Sequence, residues 1–205
     1  MKYTKSLAGL ALVAALGLTL GACSANNPSA TAPTVEPIGG SASAAASAPA
    51  SEGPAKSPRG NIIKKVGEPA GMFLKDTKEP TVNFTIDSIA PVTACSGSYP
   101  QPPQNGHFVV VGVTVETTEA LSKAPVKTFD VSAYNFKFIS KAGTTYNGNL
   151  GGSAYSCLAN GEGFPIAGMG PAEKVSGKVV LDVPETTGTL VFKDMFGSAG
   201  WEYNF

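Results

Sequence analysis

The chain has 205 residues with 15 basic and 15 acidic side chains, and only 15% of it is charged, against about 25% in a typical globular protein. From residue 61 onward 11 lysines are set against 13 carboxylates, a net charge of −2, and Arg59 is the single arginine. Lys and Arg contacts to phosphate supply most of a nucleic-acid binder's affinity, so nucleic acid is not an expected partner.

The chain opens on Lys2 and Lys5, followed over residues 7–20 by a run of Leu, Ala, Val and Gly interrupted only by Thr19. Such a run is shorter than the ~20 residues needed to cross hydrocarbon. Charge, a short apolar stretch and small residues before a cut are the layout of an export signal. Leu20-Gly21-Ala22-Cys23 resembles the bacterial lipobox. That resemblance implies a signal peptide over 1–22, cleavage before Cys23, and a diacylglyceryl group on the Cys23 thiol. Two acyl chains hold a protein on a membrane stably where one binds marginally. The expected location is the extracytoplasmic face of the cell membrane, with the membrane itself as the first partner.

Residues 23–60 continue in Ala, Ser, Pro, Gly and Thr, with no aromatic residue. A segment of this composition buries too little apolar surface to offset its ordering entropy, and disorder is expected. As a flexible tether it would reach on the order of 30–35 Å.

Beyond residue 61 short β-branched and aromatic runs alternate with turn signals. Strands are predicted over 82–89 (VNFTIDSI), 107–115 (HFVVVGVTV), 135–140 (NFKFIS), 175–183 (VSGKVVLDV), 189–192 and 201–205. The Val-rich 107–115 reads as a central strand buried on both faces. Residues 62–74, broken by Gly67, Pro69 and Gly71, read as one edge strand, because Pro is confined to edges and bulges. No stretch shows helical periodicity. About seven short strands at this spacing give an all-β antiparallel sandwich over 61–205.

With Cys23 assigned to lipid, Cys95 and Cys157 remain, and an even pair in an exported domain reads as one disulfide. Both sit in turn-like surroundings, so the bridge is expected to pin two loops at one end of the sandwich. A redox pair would want C-x-x-C spacing, which these lack.

Chemistry-bearing patterns are few. His107 is the only histidine, so a Ser-His or Cys-His triad has at most one base to use, and no ligand set for zinc presents itself. Asp87, Asp130, Glu162 and Asp182 are among the carboxylates available for acid–base pairing, each reading more simply as a solvent-facing strand or turn residue. Met72, Met169 and Met195 read as core filler rather than soft-metal ligands. Neither a P-loop nor a dinucleotide fingerprint occurs, and no metal or cofactor is expected. Tyr99, Tyr146, Tyr155 and Trp201 are the aromatic candidates for a binding surface, against the plainer reading that they close the core.

Residues 108–116 (FVVVGVTVE), then Asn160-Gly161-Glu162 leading into 177–184 (GKVVLDVP), resemble the immunoglobulin-like domain of unknown function found in Gram-positive surface lipoproteins, similar in fold to a secreted mycobacterial antigen. The resemblance spans about 66–205, and differs where Glu116-Thr117 stands in place of the family's frequent Asn. It implies an Ig-like β-sandwich and no catalytic residues. The expected function is therefore a non-enzymatic, membrane-tethered binding module whose partners are envelope proteins, cell-wall polymer or host molecules. The alternative is a solute-capturing lipoprotein, which needs a concave pocket of roughly 300 Å³ or more with converging polar groups.

Overall fold

Eight strands build the folded unit. They are β1 (Ile62–Lys64), β2 (Pro69–Phe73), β3 (Pro80–Pro91), β4 (His107–Thr117), β5 (Phe136–Ile139), β6 (Lys174–Val183), β7 (Thr189–Lys193) and β8 (Gly200–Asn204). The computed structural model describes residues 53–193 and 200–205. The signal peptide, Cys23, the tether as far as residue 52, and Met195 lie outside the described residues. Among the described residues no helix is long and apolar enough to cross a membrane, and the only helical turns are short 3₁₀ pieces at Glu119–Lys123, Ala133–Asn135 and Gly152–Ser156.

The strands form two four-stranded sheets, one in the order β1-β8-β7-β5 and the other β2-β3-β4-β6. All pairings are antiparallel except β1 with β8, which run parallel. The all-β sandwich is as expected, with one correction in strand count. Residues 62–74 are two strands on different sheets, because a turn at Lys65–Glu68, closed by the Glu68 N–H on the Lys65 carbonyl at 3.1 Å and by Gly67 at φ 86°, redirects the chain. Pro69 does open an edge strand, where its missing N–H leaves no ladder bond unmade.

The inner faces meet in one core. From β4, Val109, Val111, Val113 and Val115 are all at most 1% exposed, each burial contributing roughly 1.5–3 kcal/mol. Beside them in the same sheet, Phe84 of β3 packs across the core on Phe192 and edge-on against Trp201 of the facing sheet, with ring centroids 4.9 Å apart in both pairs. A bulge between Ile86 and Ser88 lets both Ile86 and Ile89 oppose the inward Val113 and Val111, since one extra residue restores a face that strict alternation would lose. The reading of β4 as buried on both faces needs correction. It is central in its sheet, but only the inner face enters the core, and Gly112, Thr114 and Glu116 alternate outward, partly or fully exposed.

Each sheet also has an outer face covered by irregular chain. Over the β8 sheet lies a strap of residues 55–61. Ile63 donates to the Ala55 carbonyl at 2.8 Å and Ser57 to the Asn61 carbonyl at 2.8 Å. Ser57 and Asn61 are buried at 8% and 6% exposure, so the end of the segment read as tether belongs to the folded unit. Over the β4–β6 sheet lie two loops joined by a disulfide.

Candidate interaction surface

The outer face of β4 and β6 carries Phe108, Val110, Val180 and Asp182, placed side by side by the register Phe108↔Asp182 and Val110↔Val180. Four apolar side chains, Phe108, Val180, Ala154 and Cys157, make a second, smaller core there. Its cover is the segment leading from β3 to β4 and the 3₁₀ turn Gly152–Ser156. The Cys95–Cys157 disulfide joins the two, with Cα atoms 4.6 Å apart. The pairing expected from cysteine count is therefore present. It pins two loops near the His107 end of the sheet, on its outer face and away from Trp201 in the core.

The loops are fixed by more than sulfur. Ser96 and Gly97 both donate backbone N–H bonds to the Cys157 carbonyl, at 2.9 and 3.1 Å, and the Gln101 N–H donates to Ser156 Oγ at 2.8 Å. A Cβ on Gly97 would lie 2.2 Å from the Ser156 carbonyl oxygen, so only glycine allows this approach. Asp182, 1% exposed, is the hub. Its carboxylate accepts the N–H groups of Gln104 and Asn105 at 2.7 and 3.0 Å and the Ser153 hydroxyl at 3.0 Å. The expectation that Asp182 faces solvent is thereby corrected. A buried carboxylate persists because three donors replace its water.

This arrangement lays three pieces of chain side by side. The proline-containing loop carries Tyr99, Gln101 and Gln104. The next piece, Gly152–Ser156, carries Tyr155, and beyond it Ala133–Asn135 carries Tyr134. Gly151 closes the gap, a Cβ there lying 3.2 Å from the Tyr155 ring and 3.4 Å from the Ala133 Cβ. Tyr99, Tyr134 and Tyr155 are 86%, 69% and 66% exposed. Partial burial raises the pKa of the Tyr155 hydroxyl, and the adjacent Tyr134 hydroxyl raises it further.

Of the four aromatic candidates read from sequence, Tyr99 and Tyr155 thus share this platform. Tyr146 is half-buried against the core and Trp201 lies within it. Tyr134, on the turn Ala133–Asn135, was not among the candidates. Met169 is fully buried and Met72 packs against the core, as core filler should.

The candidate acid–base residues lie on separate elements. His107 is exposed at the start of β4. Asp87, exposed on the bulge, accepts from Thr114 Oγ1 at 2.8 Å, and Asp130 is exposed. Glu162 sits at the rim of the disulfide-linked loops. It accepts from Ser96 Oγ, from Lys178 Nζ at 2.9 Å and from the Ala159 N–H at 3.1 Å, and these three, in that order, hold its pKa at about 2. Among the described residues no three His, Cys, Asp or Glu side chains are grouped to hold a metal ion. Open depressions of about 250–480 Å³ mark the surface. One of about 480 Å³ runs along residues 91–95 and 100–103 beside His107 and Phe108.

Among solved structures the chain is similar to MPT63, a secreted protein from Mycobacterium tuberculosis, at 15% identity over 71% of this chain and 98% of that one, with a TM-score of 0.48. No curated protein matches it. The model of a family described as a domain of unknown function, DUF4352, matches residues 75–201, and the chain belongs to that family.

Proposed function

We propose that this protein is a lipid-anchored, extracytoplasmic lipoprotein whose Ig-like domain is a non-enzymatic interaction module, docking through the platform of Tyr99, Tyr134 and Tyr155. The single observation behind this reading is that three large, two-thirds-exposed tyrosines stand on backbone already fixed, Tyr99 and Tyr155 by the disulfide and the Asp182 hub and Tyr134 by the Ser132–Asn135 cap. Tyr side chains bury much area with few rotors to freeze, and a pre-ordered surface spares the ordering cost of binding. Solute capture is less well supported, because none of the open depressions is lined by a buried, unpartnered polar group among the described residues. Anchoring rests on Cys23 and the export signal before it.

Photo-crosslinking on intact cells tests the docking face. A photoreactive phenylalanine at position 155 or 99 should capture an envelope component that the same group at Phe73, 58% exposed on β2, does not. Identical products from all three positions would remove the platform from the proposal. For the anchor, Cys23→Ser should release the protein or leave it uncleaved, and normal cleavage with full membrane retention would refute lipidation.

A further inference from the structure

The platform is made of chain without fixed charge. Residues 88–115, 131–136 and 142–161 contain no Asp, Glu, Lys or Arg, although the chain averages 15% charged residues. These are the three stretches that supply the disulfide-linked loops and the three tyrosines. The one carboxylate beneath them, Asp182, is buried and consumed by its three internal donors. These stretches carry no charge of their own to attract an acidic polymer or a highly charged protein, and at their rim Glu162 is paired with Lys178. The surface they form also lacks the Arg enrichment typical of protein interfaces, and the strongly exposed aliphatic residues Ile63, Val66, Val126 and Ile166 fall outside these stretches.

What it offers instead is flat rings beside amides. Tyr99, Tyr134 and Tyr155 present apolar ring faces with a hydroxyl at the edge. On the same loop as Tyr99, Gln101 and Gln104 use only their backbone N–H groups, and their side-chain amides make no hydrogen bond among the described residues. Each free amide offers two donors and an acceptor. A pyranose ring shows the complementary pattern, with C–H patches on its faces and neutral hydroxyls around its edge. Several such rings in a row match a platform three chain segments wide better than a single solute does.

We infer that the tyrosine platform binds an uncharged polysaccharide of the cell's own envelope, through ring stacking on Tyr99, Tyr134 and Tyr155 and amide contacts from Gln101 and Gln104. This rests on the proposed docking role of the same face and names its ligand class. The envelope is the source because the lipid anchor proposed at Cys23 would hold the chain at the outer face of its own membrane.

The experiment uses the full-length lipidated protein in detergent and two probes, the neutral polysaccharide fraction extracted from the producing cell's wall and heparin as an anionic control. Retention on the neutral fraction is expected to persist from about 0.05 to about 0.5 M salt, where screening would abolish a charge-driven contact. Tyr155→Ala and Tyr134→Ala should each weaken it about tenfold, with smaller losses for Gln101→Ala and Gln104→Ala. Thermal midpoints within about 2 °C of wild type would show that these exposed substitutions leave the fold intact. Retention on heparin alone, loss of retention in salt, or unchanged binding by both Tyr variants overturns the inference. A protein captured at position 155 without glycan retention removes the polysaccharide and leaves the interaction module standing. Absence of both removes both.

Discussion

Two coverings, one over each sheet, solve the same problem with different chemistry. Over the β8 sheet, Glu202 is buried beneath the strap. It accepts Ser57 Oγ at 2.8 Å, Asn61 Nδ2 at 2.7 Å and two guanidinium bonds from Arg59 at 2.9 Å. Over the β4–β6 sheet, Asp182 gathers two backbone N–H groups and a hydroxyl, with no cation. In each case a strand supplies a carboxylate and a distant loop supplies the donors. The difference lies in how the negative charge is met. Glu202 has a half-exposed counterion, Arg59 being 44% exposed, so that covering remains in contact with solvent and its ions. Asp182 is met by neutral dipoles alone, which leaves the surface above it uncharged, and the disulfide takes over the holding that a salt bridge would otherwise do.

If that division is right, removing the sulfur link should hurt most. The two cysteines are 62 positions apart, and closing such a loop stabilises by about 4 kcal/mol in the chain-entropy model. Urea unfolding of Cys95→Ala/Cys157→Ala should register a loss of that order. A loss under about 1 kcal/mol would mean that the Asp182 hub holds the platform without help. Asp182→Asn is the next largest perturbation. All three donors point at its two oxygens, so an amide NH₂ must meet a donor, at an expected cost of about 2–3 kcal/mol. The same unfolding experiment, with and without reductant, shows whether hub and disulfide are coupled.

Neither hub was visible as such in the sequence, whereas the strands were. Alternation in 82–89 and 175–183, and the Val run at 107–115, are properties of neighbouring residues, and all three strands fall where that pattern puts them. The cysteine pairing was also legible, because counting thiols needs no geometry. Asp182 and Glu202 sit on strands where alternation places them on the outward side. What buries them comes from donors 29–78 and 141–145 positions away, and no local pattern encodes that. For Trp201 a usable signal did exist. It lies two residues from Tyr203 on a period-two strand, so both should share one face, and both are in the core. The split of 62–74 was likewise signalled by Gly67 and Pro69, two turn residues two positions apart.

Acid should separate the two coverings. Burial alone would raise the Glu202 pKa, but hydrogen bonds from Arg59, then Asn61 and Ser57, together with the Arg59 charge, outweigh it and bring the value to about 2. The unfolded value is about 4.5, so the native state binds its proton less readily. The associated stability is complete above pH 4.5 and is lost as pH falls toward 2. Allowing for solvent screening of the exposed Arg59, that stability is about 2–3 kcal/mol. Glu162 is shifted in the same direction, so the informative quantity is the difference between wild type and Glu202→Gln. The two should differ at pH 7 and converge near pH 2. Parallel curves would show that the strap does not depend on the carboxylate charge.

The smallest effect lies one residue further along β8. Tyr203 is 1% exposed on the inner face of the strand whose outer face holds Glu202. Its hydroxyl has no hydrogen-bond partner among the described residues, and burial, with a lesser contribution from the Glu68 charge, pushes its pKa up. So one strand carries a polar group with four bonds on one side and a polar group with none on the other. An unsatisfied buried hydroxyl gives back nothing for the water it lost, whereas an aromatic ring of nearly the same shape keeps the packing. Tyr203→Phe should therefore leave stability unchanged or raise it by up to about 1 kcal/mol, read as a small upward shift in the thermal midpoint. A loss of more than about 1 kcal/mol would reveal a partner for the hydroxyl and would make the inner face of β8 as dependent on polar contacts as its outer face.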